Sequence, residues 1–338
     1  MRRIALIVTL LSLPARPIAE PAHPAVQDIL TSHILPRIEA LAEQTQALAK
    51  VAATECAPES QALRRAFGTA FDAWISTSHL RFGPSETDDR AFALAFWPDS
   101  RGATPRALAG LIAAQDPIAT SPTQYREVSI AARGFYALEI LLYDDRLMGA
   151  GDAAYHCTLV QTISRDIATT ATAIRDDWQA SYADTMRNPG PEAVYHSPEE
   201  ALQELFKALT AGLEFTSDSR LGRPLGSYDR PRPNRAEARR SQRSARHVSL
   251  SLSALKDLAL RLAAPEPDLA ADLDNRFAAA LAQVAALNDP AFAGVADPLS
   301  RIRIESLQQT LIGIRDTVRT RLGPTLGVSA GFNALDGD

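Results

Sequence analysis

The sequence predicts an all-α fold made of two four-helix-bundle-like domains packed together. Apolar residues recur at three- and four-residue intervals along most of the chain, which is the spacing of amphipathic helices. No segment shows the sustained alternation of a half-buried strand. Aromatic residues make up only 6% of the chain, and the remaining apolar content is rich in alanine and leucine, the balance of tightly packed helices.

The chain begins with the features of a secretory signal peptide. Arg2 and Arg3 precede an apolar run over residues 4–13, Pro14 ends that run, and Ala19 is a small residue suited to cleavage. The run is too short to span a bilayer, which requires about 20 residues. We therefore expect residues 1–19 to direct export out of the cytoplasm, and the mature protein to be soluble without a membrane span.

The apolar periodicity places the helices in chain order. The first half is predicted to contain helices over 26–53, 61–82, 88–96, 105–114, 123–143 and 153–187. The Asn-Pro-Gly-Pro run at 188–191 cannot continue a helix, and Ser197 with Glu200 forms a capping box that starts the next one. This helix covers 202–215, and three further helices are predicted over 235–263, 267–287 and 298–321. The break predicts an N-terminal bundle over 20–190 and a C-terminal bundle over 191–338.

Cys56 and Cys157 are the two cysteines of the chain. In an oxidising compartment an isolated pair of this kind is expected to form one disulfide, and the alternative is two unpaired buried thiols. A disulfide here would close a loop of about 100 residues, which chain-entropy models value at roughly 4–5 kcal/mol.

The most informative segment covers residues 131–143, where Glu139 lies among large apolar residues. A carboxylate in such a helix must be paired, hydrogen-bonded or neutral, because an unpaired buried charge is very costly. Arg133, Tyr136 and Glu139 follow at steps of three, so we expect them to share a helix face. One interpretation is a structural ion pair between Glu139 and an arginine of a neighbouring helix, and the other is a ligand site.

This segment resembles the signature helix of the imelysin-like proteins, which are also classed as the metallopeptidase family M75 and carry the motif Gly-x-His-x-x-Glu. Gly134 and Glu139 match the motif, and Tyr136 stands at the position of its histidine. Other segments resemble the family in the same order along the chain: Trp74 with the Arg-Phe-Gly-Pro turn at 81–84, the Phe-Trp-Pro-Asp segment at 96–99, Glu237 with Ser241 and Ser244, and the ending at 327–338.

The resemblance implies two four-helix-bundle domains, a bacterial envelope location, an association with iron uptake, and a site near a groove between the domains. The groove residues that we expect are Tyr136, Glu139, Arg133, Arg81, Trp97, Asp99, Glu237, Ser241 and Ser244.

A metal site is the point at which this chain departs from the family pattern. The phenol of Tyr136 is a poor ligand for zinc or ferrous iron because its ordinary pKa is near 10. Glu139 and His79 are the candidate metal ligands, and iron or another divalent metal is the candidate cofactor. We interpret His33, His156 and His247 as surface or capping residues. The arginine-rich stretch 220–246 is expected to be a solvated surface, with an anion-binding surface as the alternative.

Three functions fit these observations. The first is a non-catalytic periplasmic binding or accessory protein, linked to iron or metal uptake, whose partner is a small ligand, a metal or an envelope protein. The second is an M75-type metallopeptidase with Glu139 as general base, which needs at least three protein ligands for its metal. The third is a structural envelope interaction module, in which Glu139 would be fully paired and no pocket would open beside Tyr136. The net charge of −5 argues against nucleic acid as a partner. We favour the first.

Overall fold

The computed structural model describes residues 23–328, in which helices are joined by turns and short loops. The longer helices in this range are α1 (Leu35–Ala52), α2 (Gln61–Thr77), α3 (Ala103–Ala114), α4 (Gly134–Tyr143), α5 (Ala153–Asp177), α6 (Pro198–Glu214), α7 (Ser244–Leu262), α8 (Pro267–Ala286) and α9 (Pro298–Thr317). Shorter helices are Pro24–Ile29, Arg90–Leu94, Pro122–Tyr125, Ala183–Arg187, Gly222–Leu225 and Gly323–Thr325. The predicted signal peptide, 1–19, and residues 329–338 of the family-like ending lie outside the described residues.

Wider, π-helical turns extend several of these helices. Leu30–Ile34 leads into α1, Trp178–Tyr182 continues α5, Phe215–Leu221 continues α6, and Val318–Leu322 continues α9. Between residues 23 and 328 there is no β-strand, and a single bridge pairs Ser227 with Arg230.

The helices pack as two groups with one continuous apolar core. In the first group α1 packs on α2 and α5, and α4 packs on α3 and α5. In the second group α7 packs on α6 and α8, and α9 packs on the same two helices. Helix α2 also packs on α7 and joins the groups. The all-α prediction with packed bundles is confirmed, whereas the domain boundary near residue 190 stays a prediction.

Helix α4 is shorter than the predicted helix over 123–143. Arg133 has an extended backbone, and Gly134 begins the helix with φ of +74°. A Cβ at Gly134 would lie 2.3 Å from the carbonyl oxygens of Ala93 and Leu94, so glycine is required both by the backbone conformation and by the close approach of that segment. Arg133 therefore does not share a helix face with Tyr136 and Glu139, and that expectation was wrong.

The predicted helix over 235–263 also starts late, at Ser244. The preceding residues 236–243 form an irregular turn in which Ala238 and Gln242 have positive φ. This turn places Glu237 and Ser241 against α4. There Glu237 accepts a hydrogen bond from Tyr136, and the Ser241 hydroxyl donates one to Glu139. Tertiary hydrogen bonds thus hold a conformation that the helical periodicity does not reveal.

A disulfide joins Cys56, in the loop after α1, to Cys157 in α5, across 101 residues of sequence. The predicted pairing is confirmed, and it fixes the end of α1 against α5. Among residues 23–328, no helix combines the length and apolarity that crossing a bilayer requires.

Candidate functional site

A buried polar cluster connects α4 to the second group of helices. The Tyr136 phenol donates a hydrogen bond to Oε1 of Glu237 over 2.5 Å, and Arg220 Nε donates to Oε2 of the same carboxylate over 2.7 Å. The Arg220 and Glu237 side chains are only 3% and 2% exposed. The pair is tolerated away from water because both carboxylate oxygens and the guanidinium find partners.

Further groups complete the surroundings of this pair. Arg220 also donates from Nη1 to Ser251 and Thr216 and from Nη2 to Ser78, over 3.2–3.3 Å. The fully buried His247 places Nδ1 3.2 Å from Oε2 of Glu237, in a contact without good hydrogen-bond alignment.

The electrostatics fix the protonation of this cluster. Burial alone would raise the pKa of Glu237, but the charge of Arg220 and the contacts with His247 and Tyr136 outweigh it and hold that pKa at about 2. Burial, followed by the charge of Glu237, raises the pKa of Tyr136 well above its usual value. Tyr136 is therefore a neutral donor to a charged carboxylate.

Glu139 is held by the turn that precedes α7. Its Oε1 accepts hydrogen bonds from the backbone N–H and the hydroxyl of Ser241, over 2.9 and 2.7 Å. No group of residues 23–328 donates a hydrogen bond to Oε2. The Ser244 hydroxyl donates to the carbonyl of Glu237 and so fixes the same turn. The expected ion pair between Glu139 and an arginine is replaced by these hydrogen bonds from Ser241.

Two cavities meet at the stacked rings of Trp97 and Tyr136, whose centroids are 6.3 Å apart. The first, which we call the histidine-side cavity, has a volume of about 480 Å³, and its lining includes Trp74, His79, Phe215, Arg220 and Glu237. The second, the glutamate-side cavity, has a volume of about 210 Å³, and its lining includes Asp99, Glu139, Arg223, Arg235 and Arg240. Tyr136 thus stands between two spaces large enough for small ligands.

His79 lines the histidine-side cavity and begins a series of hydrogen-bonded side chains that continues through His33 to Asp257. Its Nε2 lies 2.8 Å from Nε2 of His33, and Nδ1 of His33 lies 2.8 Å from Oδ2 of Asp257. Burial lowers the pKa of His33 and lowers that of His79 further, with the neighbouring His33, Arg37 and Arg220 adding to the effect on His79. Both imidazoles are thus neutral at pH 7.

The donors around Glu139 do not fit a metal ion. In residues 23–328 no three histidine, cysteine, aspartate or glutamate side chains converge as a metal site requires. Tyr136 keeps its proton, and the Glu237 carboxylate is already occupied by Arg220 and Tyr136. A metal at this place would first have to break a buried ion pair.

Comparison with known proteins shows the family to which the chain belongs. The profile of the imelysin family, peptidase family M75, matches residues 34–318. The chain belongs to the imelysin family.

One curated relative of this imelysin is iron-regulated protein A from Synechococcus elongatus, which is 24% identical over 299 residues and is covered over 78% of its length and 82% of this chain. Among solved structures, an imelysin-like protein from Psychrobacter arcticum matches with a TM-score of 0.77 at 23% identity, over 93% of this chain and all of the other. A candidate iron-regulated protein A precursor from Parabacteroides distasonis matches with a TM-score of 0.72 at 14% identity, over 90% of this chain and 97% of the other. At these identities the structural matches show the shared fold.

The imelysin structure brings together most of the residues expected in the groove. Tyr136 and Trp97 line both cavities, while Glu139 and Asp99 line the glutamate-side cavity and Glu237 the histidine-side one. Asp99 accepts hydrogen bonds from the first amides of α3, those of Ala103 and Thr104, both over 2.8 Å.

Of the expected groove residues, Arg133, Ser241 and Ser244 line neither cavity, whereas Arg81 lines the histidine-side cavity. Arg133 makes a two-pronged ion pair with Asp166 of α5, and neither cavity includes it in its lining. Arg81 pairs with Glu86 and packs on Phe92 at the edge of the histidine-side cavity. Arg133 was misplaced because its helix position was inferred across the break at Gly134.

Several residues of the site were missed or misread. His33 and His247 are fully buried, which corrects their interpretation as surface or capping residues, and His156 is 5% exposed. Arg220 and Arg223 come from the stretch that was expected to be solvated. The alternative of an anion-binding surface in that stretch was the available signal, whereas nothing in the sequence linked His33 to His79.

Proposed function

We propose that this imelysin is an exported accessory protein of iron acquisition that binds a small ligand or metal complex in its groove and does not cleave peptides. The observation that carries the proposal is the place of Tyr136. It stands at the motif histidine position, is committed to Glu237, and forms the wall between two cavities.

The link to iron rests on the names of relatives. A curated relative over most of the chain is called iron-regulated protein A, and so is one of the structural matches. We extend an iron-related role to this chain as a proposal, and we assign residues 1–19 to export from the signal-peptide pattern of Arg2, Arg3 and the apolar run over 4–13.

The geometry favours a binding protein over the two alternatives. A metallopeptidase needs three metal ligands and an open coordination position, and the described residues contain no such set of donors. A purely structural module would have Glu139 fully paired and no space beside Tyr136. Instead, Oε2 of Glu139 accepts no hydrogen bond within residues 23–328, and cavities lie on both sides of the tyrosine.

The direct test uses the purified mature protein, beginning at Glu20. We would titrate it by calorimetry with zinc, with ferrous iron under anaerobic conditions, and with a ferric chelate, and incubate it with casein and added zinc. We expect the ferric chelate to bind without casein cleavage, because the described residues offer no set of donors for a free metal ion. Zinc-dependent cleavage that disappears in the Glu139→Ala variant would establish the peptidase instead.

A second experiment addresses the cellular role. Transcript and protein levels in the source bacterium should rise when iron is withheld, and the protein should fractionate with the periplasm. Levels that ignore iron, or a cytoplasmic protein with residues 1–19 intact, would contradict the proposal.

A further inference from the structure

Two arginines that line the glutamate-side cavity have no acidic partner of their own among the described residues. Arg240 is paired with Asp144 over 2.6 Å, and Asp99 is committed to the amides at the start of α3. Arg223 and Arg235 also line this cavity, and within residues 23–328 neither forms an ion pair. Two cationic side chains thus face the same space without an acidic partner.

Arg223 is held in a position that suits recognition of an anion. Its guanidinium lies 5.7 Å from the centroid of the Trp97 ring, and its Nε is buried without a hydrogen-bond partner. Burial, and then the positive charge of Arg235, lowers the pKa of Arg223. A bound anion would relieve both the repulsion between the two arginines and the unsatisfied N–H group.

Glu139, which lines the same cavity, offers an acceptor to a ligand. Its Oε1 is occupied by Ser241, while its Oε2 accepts no hydrogen bond from residues 23–328. Glu139 lines the cavity, so this oxygen is available to accept a hydrogen bond from a ligand or from water. A second carboxylate would be repelled there, whereas a hydroxyl group can donate to it.

We propose that the glutamate-side cavity binds a small hydroxycarboxylate, with its carboxylates on Arg223 and Arg235 and its hydroxyl donating to Oε2 of Glu139. This rests on the proposed function in placing the ligand in the groove. The apolar wall of Trp97, Tyr136 and Ile140 suits the carbon skeleton of such a ligand better than a fully hydrated inorganic anion. Hydroxycarboxylates also chelate hard cations through oxygen, which agrees with an iron-related role.

The test compares three anions in the absence of iron. The mature protein is titrated with citrate, with tricarballylate, which is citrate without the hydroxyl, and with inorganic phosphate. The heat of binding and the tryptophan fluorescence are both recorded. The fluorescence change that is lost in the Trp97→Phe variant is the one that comes from the cavity. We expect citrate to bind about tenfold or more tightly than tricarballylate, phosphate to bind weakest, and the affinity for citrate to fall as salt is added.

Variants assign the binding to the two arginines. Arg223→Gln and Arg235→Gln should each weaken citrate binding by about 10- to 100-fold, because each removes a charge-assisted hydrogen bond. Arg230→Gln is the matched control, since Arg230 is exposed and lines neither cavity. If Arg223→Gln lowers the thermal stability, Arg235→Gln still decides the point, because Arg235 is exposed.

Each other outcome overturns the assignment. Equal binding of citrate and tricarballylate would exclude the hydroxyl contact with Glu139, and equal binding of phosphate would reduce the cavity to a general oxyanion site. Citrate binding that is unchanged in both arginine variants, or no binding of any of the three anions, would exclude the site. A protein that binds iron but no citrate would refute this inference and leave the proposed function standing.

Discussion

Tyr136 of α4 and Glu237 of the turn before α7 are hydrogen-bonded over 2.5 Å although they are 101 residues apart in sequence. The bond joins the signature helix of the first group of helices to the second group, and it lies at the wall between the two cavities. The tyrosine at the motif position is therefore part of the structure of the groove, and its hydroxyl is committed.

Removing the Tyr136 hydroxyl should destabilise the protein. In Tyr136→Phe, Oε1 of Glu237 loses its donor in a buried place, which costs about 1–3 kcal/mol. Urea unfolding followed by circular dichroism measures the loss, and Tyr228→Phe is the control because Tyr228 is 73% exposed. Equal stability of the two variants would show that water replaces the phenol and that the bond contributes nothing.

The stability of the protein should decrease as the pH falls below about 6.5. Burial lowers the pKa of His33 and that of His79 in the folded state, whereas unfolded imidazoles titrate near 6.5. Below that pH the unfolded chain binds more protons than the folded one, so the contribution is present above 6.5 and is lost on acidification. Each imidazole adds a slope of up to about 1.4 kcal/mol per pH unit.

The groups around the pair include Asp257, Arg37, Arg261 and Arg220, of which the three arginines oppose protonation. Unfolding free energies measured from pH 7.5 to 5.5 should show a shallower slope in His79→Gln, whose amide can still donate to His33. His196→Gln, at a histidine that is 64% exposed, should keep the original slope. An unchanged slope in His79→Gln would mean that this pair does not govern the acid sensitivity.

Gly134→Ala should be strongly destabilising. The added methyl group would meet the carbonyl oxygens of Ala93 and Leu94 at 2.3 Å, in a residue whose φ is +74°. The strain and the displaced backbone should cost at least about 2 kcal/mol. Gly110→Ala, inside α3 with open space around it, should instead stabilise by about 0.5–1 kcal/mol. A neutral Gly134→Ala variant would show that the 93–94 segment moves aside without cost.

Reduction of the Cys56–Cys157 disulfide should lower the melting temperature by several degrees. The bond closes a loop of 101 residues, and chain-entropy models give an upper value of about 4–5 kcal/mol for such a loop. Calorimetric melting with and without a reductant measures the shift, and the double variant Cys56→Ser, Cys157→Ser should be insensitive to the reductant. A wild-type protein that melts at the same temperature in both conditions would contradict the expected stabilisation.

The sequence predicted well what local interactions decide. The helices around Phe67 and Leu159 follow from apolar spacing, and the start of α6 follows from Ser197, which caps it. Where a contact from a distant segment intervenes, local rules fail. Gly134 falls inside the helix predicted over 123–143, but it begins the helix because another backbone segment packs against it.

The sequence by itself determined the helical class of this protein, the order of its helices and the departure of Tyr136 from the family motif. Only the tertiary structure decided that Glu237 binds Tyr136 and Arg220, that His33 meets His79, and that Arg133 pairs with Asp166. The physical reason is the range of the interactions. Helix formation depends on neighbours within a few residues, whereas a buried charge finds its partner only after helices far apart in the sequence have packed.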